Sequence, residues 1–181
     1  MRPFPSAALK SSVSHRAGIA LGSNLGRKLA HLQIARDLLR NIAVPGAIFR
    51  QAPIYQTEPV LCPEGSPDFF NTVVEFEFAG TPFDLLDHTQ AIEFRLGREP
   101  SLERNAPRTI DVDILYLGDE RLDAGLLVLP HPRITSRRFV LQPLAEIRPE
   151  LILPGDQVTV SEHLQHLDST EAPLALVQAN W

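Results

Sequence analysis

The spacing of apolar residues in this chain changes several times, and the order of these changes limits the folds that the chain can adopt. Segments in which apolar residues alternate predict strands, whereas segments in which they recur every three or four positions predict helices. From the N-terminus the predicted order is β-α-β-loop-β-α-loop-β, followed by two short helices. This order is typical of a split β-α-β sheet covered by helices on one face. The predicted strands are 18–21, 47–55, 69–78 and 109–117, and the predicted helices are 27–42, 82–96, 138–147 and 160–167.

Turn-forming residues mark both ends of the first predicted helix. The segment Gly22-Ser23-Asn24-Leu25-Gly26 precedes it and lacks the Lys-Ser/Thr ending of a phosphate-binding P-loop. We therefore predict a strand-to-helix turn in which Ser23 or Asn24 caps the helix. Pro45-Gly46 ends this helix. The second helix is predicted to bury Phe83, Leu86, Ile92 and Leu96.

The length of 181 residues fits a single domain, since domains typically span about 100–200 residues. Residues 1–16 lack apolar periodicity and are predicted to be a disordered tail, which leaves 17–181 as one domain. No apolar run approaches the ~18 residues needed to cross a membrane. Cys62 is the only cysteine, which excludes an internal disulfide and predicts a reducing, cytoplasmic location.

The charge of the chain argues against broad nucleic-acid binding and for a small polyanionic ligand. The formal net charge is −5, so a phosphate backbone would meet overall repulsion. Of the 17 basic residues only Lys10 and Lys28 are lysines, and eight arginines lie between Arg95 and Arg138. Arginine presents a planar fork of donors that matches phosphate oxygens two at a time.

Two acids share one face of the last predicted strand. Side chains of a strand alternate between its faces, so Asp111 and Asp113 project together while the isoleucine and valine residues beside them face the core. Two carboxylates with Cα atoms about 6.5–7 Å apart suit a hard cation such as Mg²⁺. The alternative is a pair of solvated carboxylates on an exposed face. Arg108, just upstream, favours the metal site because it adds a partner for phosphate.

A histidine lies among arginines between the last predicted strand and the helix that follows it. His131 is followed by Arg133 and Arg137, and its ring could donate a hydrogen bond to a phosphate oxygen. A turn histidine beside solvated arginines is the alternative, and this segment alone favours that alternative.

Other candidate ligand contacts lie on the third strand and the second helix. Of Phe69 and Phe70, strand alternation leaves only one ring free to stack on a flat heterocycle, whose edge Asn71 could bind. Gln90 and Glu93 are three positions apart and share one helix face, which meets either solvent or a ligand.

Taken in order, these segments resemble the 6-hydroxymethyl-7,8-dihydropterin pyrophosphokinase family of folate biosynthesis. The resemblance covers most of the chain, from about residue 19 to residue 149, and the ordered set of motifs is highly specific. The motifs are IALGSNLG at 19–26, Y-x-T-x-P at 55–59, F-x-N at 69–71, H-T-Q-x-I-E at 88–93, L-G-R at 96–98, PRTIDVDIL at 107–115, LPHPR at 129–133 and R-x-F-V-L-x-P-L at 137–144.

The resemblance implies an α+β fold, namely a ferredoxin-like antiparallel sheet sandwich covered by helices, with mobile catalytic loops at 58–68 and 97–107. It implies that ATP, as co-substrate, transfers its diphosphate to the hydroxymethyl group of the pterin, giving AMP and the pterin diphosphate. Two Mg²⁺ ions are expected between the substrates. We expect a monomer that acts on these small molecules, with no nucleic-acid or membrane partner.

The resemblance also implies roles for individual residues. Asp111 and Asp113 would bind both metal ions, and with Arg98 and Arg108, which engage the phosphates, they would form the catalytic set. The predicted ATP-binding residues are Gln90, Glu93, Arg98, Arg108, Ile114, His131 and Arg137. The predicted pterin-binding residues are Thr57, Phe69, Asn71 and Phe139, with the ring stacked between the two phenylalanines.

The second loop departs from the family pattern. Asn105-Ala106 replaces the usual Trp-Gly, and Pro100 stands where many relatives have a further arginine, so we expect Arg104 to take over some phosphate contact. The altered loop leaves open a second class, a binding protein that keeps the fold but has lost efficient transfer. A third class, a ferredoxin-like nucleic-acid binder, is disfavoured by the net charge and the acidic pair.

Overall fold

The computed structural model describes residues 13–59, 62–99, 106–168 and 174–181. None of the helices in these residues is both long and apolar enough to traverse a bilayer. In chain order the elements are β1 (His15–Ser23), α1 (Lys28–Ile42), β2 (Arg50–Gln51), β3 (Ile54–Thr57), β4 (Phe69–Phe78), α2 (Pro82–Arg95), β5 (Asp111–Leu117), β6 (Leu122–Asp123), β7 (Val128–Leu129), α3 (Arg138–Ile147), α4 (Val160–Gln165) and β8 (Ala175–Gln178).

One antiparallel sheet organises the fold. Its strands lie in the order β5-β1-β4-β3-β8, and β2 also pairs with β4. Leaving the short β2 aside, β1, α1, β3, β4, α2 and β5 follow the β-α-β-β-α-β order of ferredoxin-like folds. The predicted α+β class is thereby confirmed. β6 and β7 form a separate two-stranded sheet.

Helices cover both faces of the sheet, whereas the sequence predicted helices on one face. Val74 of β4 belongs to the apolar cluster that contains Leu32 of α1 and Ile92 of α2. The adjacent residue, Val73, packs in a second cluster with Val140 of α3. The prediction was wrong because apolar periodicity shows that a helix has a buried side but not which face of a sheet it covers.

A β-bulge interrupts the pairing of β1 with β5. Gly18 pairs with Tyr116 and the next residue, Ile19, pairs with Ile114, so Leu115 has no partner in the register. Because of this extra residue, Leu115 and Tyr116 both belong to the cluster beneath α3.

The strands differ from the prediction at several places. Segment 47–55 is interrupted by Pro53, which has no N–H to donate, so it forms the two strands β2 and β3. The predicted tail ends earlier, because His15 and Arg16 already pair with β4; residues 1–12 lie outside the described residues. The strands β6, β7 and β8 were not predicted.

The helix α2 begins with a capping box. The Thr81 hydroxyl accepts the N–H of Asp84, and the Asp84 carboxylate accepts the N–H of Thr81. With the helix phase fixed in this way, Leu85 is fully buried and Phe83 is 48% exposed. The predicted burial of Phe83 is therefore wrong.

The start of α1 also differs from the prediction. Its N-cap is Arg27, and no side chain caps the helix. Ser23 and Asn24 are buried and make other contacts, so neither is the predicted cap.

A buried glutamate connects the sheet to α3. Glu75 of β4 is only 1% exposed, and its carboxylate accepts bonds from Arg148 at 2.6 and 2.9 Å, from Arg50 at 3.2 Å and from the Tyr116 hydroxyl at 2.7 Å. Burial, together with the Glu75 charge, raises the pKa of Tyr116 well above its usual value, so the hydroxyl remains a donor. Gly18 leaves room for the Tyr116 ring, because a Cβ there would lie 2.2 Å from ring atom Cε1.

We predict that Gly18→Ala lowers the free energy of unfolding by about 1–3 kcal/mol, because the added methyl group displaces the tyrosine ring from Glu75. Chemical denaturation of a double-mutant cycle with Tyr116→Leu measures this coupling. In the Tyr116→Leu background Gly18→Ala should cost much less. An equal cost in both backgrounds would rule out the ring contact as the cause.

Candidate active site

A cavity of about 630 Å³ lies where β1, β4 and β5 meet α2 and the start of α3. Strands, helices and connecting segments all contribute side chains to it, so residues far apart in the sequence meet here. The predicted site residues that line it are Thr57, Phe69, Asn71, Gln90, Glu93, Arg98, Arg108, Asp111, Asp113, Arg137 and Phe139.

The two acids of β5 line this cavity together, as strand alternation predicted. Val112 between them belongs to the cluster beneath α1 and α2. One oxygen of Asp111 accepts a bond from Arg98 at 2.7 Å, and the other accepts a bond from Arg108 at 3.1 Å. The guanidinium groups thus neutralise this carboxylate and lie at the cavity, where they can also reach phosphate oxygens.

Glu93 joins α2 to β5 and to Arg98. Its Oε1 accepts the Val112 backbone N–H at 2.8 Å and also accepts a bond from Arg98. Burial is the largest influence on Glu93 and raises its pKa. Burial works to lower the pKa of Arg98, but the charges of Asp111 and Glu93 outweigh it and raise that pKa. Arg98 therefore lies between the carboxylates of Glu93 and Asp111, and its positive charge offsets the repulsion between them.

The surroundings of Asp113 disfavour the ionised form of its carboxyl group. Burial, followed by the charge of Asp111, raises its pKa from 3.8 to about 7, while Arg137 acts in the opposite direction. Such a shift is expected where two carboxylates share a poorly solvated site.

The donor chemistry of the acid pair fits Mg²⁺. The described residues contain no group of three or more acid, histidine or cysteine side chains arranged to bind a metal. Mg²⁺ typically binds to one or two carboxylates and completes its coordination with water and substrate phosphates. Two carboxylates facing a cavity that also contains arginine side chains therefore suit this ion.

At another part of the cavity an amide is fixed in one orientation. The Asn71 Nδ2 donates to the Thr57 hydroxyl at 2.7 Å. A Cβ added at Gly22 would lie 2.9 Å from the Asn71 Oδ1, so the missing side chain at Gly22 makes room for this amide. The amide presents both a donor and an acceptor group on a side chain that lines the cavity.

Two aromatic side chains accompany this amide. Phe69 lines the cavity, whereas Phe70 packs toward the core with the Lys28 ammonium 4.2 Å from its ring centroid. The prediction that only one of these two rings is free is confirmed. Phe139 also lines the cavity, and the Arg137 guanidinium lies 5.2 Å from its ring centroid.

Two predicted ATP-binding residues do not line the cavity. Ile114 is 5% exposed and belongs to the cluster beneath α1 and α2. His131 donates its backbone N–H to Leu115 at 2.8 Å, and its Nδ1 accepts the Arg133 N–H at 3.2 Å. Burial, with the neighbouring arginines, lowers the pKa of His131 to about 4, so the ring is neutral at pH 7. These contacts place His131 in a turn, whereas the neighbouring Arg133 and Arg137 line the cavity, and the contact of His131 with ATP stays a prediction.

Sequence reasoning missed several residues of the cavity wall. Leu86 and Thr89 each precede a predicted residue, Gln90 or Glu93, by one helical turn, so the i, i+4 spacing could have identified them. The other missed residues include Glu58, Cys62 and Ser136, which come from segments without periodicity. Pro100, Arg104 and Asn105, which carry the departures from the family pattern, lie outside the described residues.

Comparison with known proteins gives a consistent family assignment. The model of the 7,8-dihydro-6-hydroxymethylpterin-pyrophosphokinase family matches residues 18–149. The 2-amino-4-hydroxy-6-hydroxymethyldihydropteridine pyrophosphokinase of Bacillus subtilis (strain 168) is 44% identical over 131 residues, which is 72% of this chain and 77% of that protein. The protein of the same name from Pseudomonas aeruginosa is 40% identical over 139 residues, covering 77% of this chain and 84% of its relative.

A solved structure shows the same fold. Wild-type Plasmodium falciparum HPPK-DHPS, crystallised with SDX-DHP, superposes with a TM-score of 0.66 at 14% identity. The match covers 86% of this chain but 45% of that longer chain. At this identity the likeness supports the fold alone.

The raised pKa of Asp113 predicts a pH-dependent cost to folding. In the unfolded chain this carboxyl ionises near its ordinary value of 3.8, whereas in the folded protein it ionises near 7. The folded state therefore retains the proton, and its stability falls as the pH rises from about 4 to about 7. Asp113→Asn should raise the free energy of unfolding in EDTA at pH 8, by on the order of 1–4 kcal/mol.

Denaturant unfolding at several pH values measures this gain, which should grow between pH 4 and pH 7 and then level off. Asp119→Asn is the matched control, because Asp119 is exposed just beyond β5. A gain that is absent, or that is the same at pH 5 and pH 8, would contradict the assignment.

Proposed function

Because the chain belongs to the 7,8-dihydro-6-hydroxymethylpterin-pyrophosphokinase family, we propose that its cavity is where ATP transfers diphosphate to the hydroxymethyl group of 6-hydroxymethyl-7,8-dihydropterin. The protein is an ATP-dependent pyrophosphokinase of folate biosynthesis. One observation carries the assignment of the site: a single cavity is lined by an acid pair, by arginines and by an amide accompanied by aromatic rings.

The arginines and acids provide the phosphate-binding part of the cavity. Arg98, Arg108 and Arg137 line it and would pair with the oxygens of the triphosphate. Arg98 and Arg108 are bound to Asp111 in the described structure, so they would exchange this carboxylate for phosphate when the nucleotide binds. Gln90 of α2 would contact the nucleotide from the neighbouring wall.

The metal site follows from the same exchange. Asp111 and Asp113 would bind Mg²⁺, which when bound would neutralise charge on the phosphates during transfer. Because cation binding favours the ionised form of Asp113, it would also overcome the raised pKa of this acid. The presence of two ions, the monomeric state and the cytoplasmic location stay predictions.

The amide and the aromatic rings provide the pterin-binding part. A flat ring between Phe69 and Phe139 would stack on both faces, while the Asn71 amide reads its edge. The bond from Asn71 to Thr57 fixes which way this amide points, so its orientation is set before the substrate arrives. A pterin held in this way presents its hydroxymethyl group to the arginine-lined part of the cavity.

The reaction needs no covalent enzyme intermediate. The hydroxymethyl oxygen of the pterin attacks the β-phosphorus of ATP and gives up its proton to water. The bond from that phosphorus to the oxygen of the α-phosphate breaks, and AMP leaves. The arginines stabilise charge on the transferred group and its leaving group. The walls of the cavity align the attacking oxygen with the leaving oxygen. Because both substrates are bound side by side, the reaction no longer depends on their collision in solution.

We predict that the purified protein with Mg²⁺ and ATP forms AMP, and not ADP, only when the pterin is added. Asp111→Asn should lower kcat by about 10²–10³-fold, because it removes a metal ligand and a partner of both arginines. Chromatography of the nucleotide products measures both effects.

Asp119→Asn, which changes an exposed acid outside the cavity wall, should leave the rate of AMP formation unchanged. The formation of ADP, or an unchanged rate in Asp111→Asn, would reject the proposed function.

A further inference from the structure

The tip of β1 carries two buried polar residues that the proposed reaction does not use. Ser23 is fully buried and Asn24 is only 2% exposed, yet neither lines the cavity. Neither caps α1, since the N-cap of that helix is Arg27. Buried polar groups are normally satisfied by specific partners, so their partners indicate what this turn does.

The side chain of Asn24 joins two segments that border different parts of the cavity. Its Nδ2 donates to the Pro67 carbonyl at 3.3 Å, and its Oδ1 accepts the Arg108 backbone N–H at 2.7 Å. The Asn24 backbone N–H donates in addition to the Arg108 carbonyl at 3.2 Å. The adjacent Ser23 hydroxyl donates to the Thr109 carbonyl at 2.6 Å.

One of these segments leads to the pterin-binding part of the cavity, and the other belongs to the phosphate-binding part. Pro67 lies two residues before Phe69, which lines the pterin-binding part of the cavity. Arg108 belongs to the phosphate-binding part and leads directly into the acid pair of β5. Both segments join the sheet at the base of a loop, and Asn24 contacts both of them at that base.

We propose that Asn24 is a positioning residue for diphosphate transfer, because its amide holds the segment of Phe69 and the segment of Arg108 in one fixed alignment. This inference rests on the proposed function. An amide offers a donor and an acceptor on the same carbon, whereas an ionised carboxylate offers only acceptors. A misalignment of about 1 Å between reacting groups can cost on the order of 10²-fold in rate.

Two substitutions separate the two halves of this contact. Asn24→Asp keeps an acceptor for the Arg108 N–H but places a carboxylate against the Pro67 carbonyl. It should raise the KM for the pterin by about tenfold while the KM for ATP stays within about twofold. Asn24→Ala removes both bonds, and it should in addition lower kcat by about tenfold or more. Asn41→Asp and Asn41→Ala, on the exposed side of α1, are matched controls that should change none of these constants.

Steady-state formation of AMP gives the three constants, and circular dichroism with thermal melting reports the fold of each variant. If the wild-type protein forms no AMP with the pterin, the proposed function fails, whatever the variants do. If it does, but both Asn24 variants keep every constant within about twofold of wild type, the positioning role fails and the function stands. A variant that is largely unfolded, or one whose kcat falls only with its folded fraction while both KM values are unchanged, would show a purely structural role and overturn the proposal.

Discussion

The charge balance around Asp111 is the interaction on which the rest of the site depends. Two carboxylates lie two positions apart on one strand, and their repulsion in a poorly solvated place is on the order of a few kcal/mol. Arg98 and Arg108 offset it by occupying one oxygen each of Asp111. The same bonds bring both guanidinium groups to the cavity. Asp111 therefore holds both arginines at the cavity.

The sheet makes room for this arrangement through small residues on one face of β1. Gly18, Ala20 and Gly22 alternate along β1 on the side that faces α3 and the cavity. At Gly18 the space accommodates the tyrosine ring of the Glu75 network, and at Gly22 it accommodates the amide of Asn71. A larger side chain at either position would push a polar group away from its partner. Both the Glu75 network of the fold and the amide of the binding site thus depend on glycines of β1.

Local pattern predicted much of this and long-range contact accounts for what it missed. Alternation predicted β4 residue for residue and placed Asp111 and Asp113 on one face, because strand geometry depends on neighbours in sequence. The ordered motifs added the remaining ligand candidates, most of which line the cavity. The second helical layer and β8 could not be predicted, since the sequence does not show which surface an apolar face will meet. Alternation directs the Ile114 side chain to the core, and the nucleotide contact that the resemblance implies for this residue stays a prediction.

The turn after β1 shows the same limit at the level of one residue. Asparagine is a residue type that often caps helices, and the local sequence predicts that Asn24 does so. Its actual partners lie 43 and 84 positions away in the chain, so no window of sequence contains them. These bonds act at the bases of the two segments and not at their tips. Because Phe69 follows one bonded segment closely and Arg108 belongs to the other, an amide outside the cavity wall can still align the two parts of the proposed site.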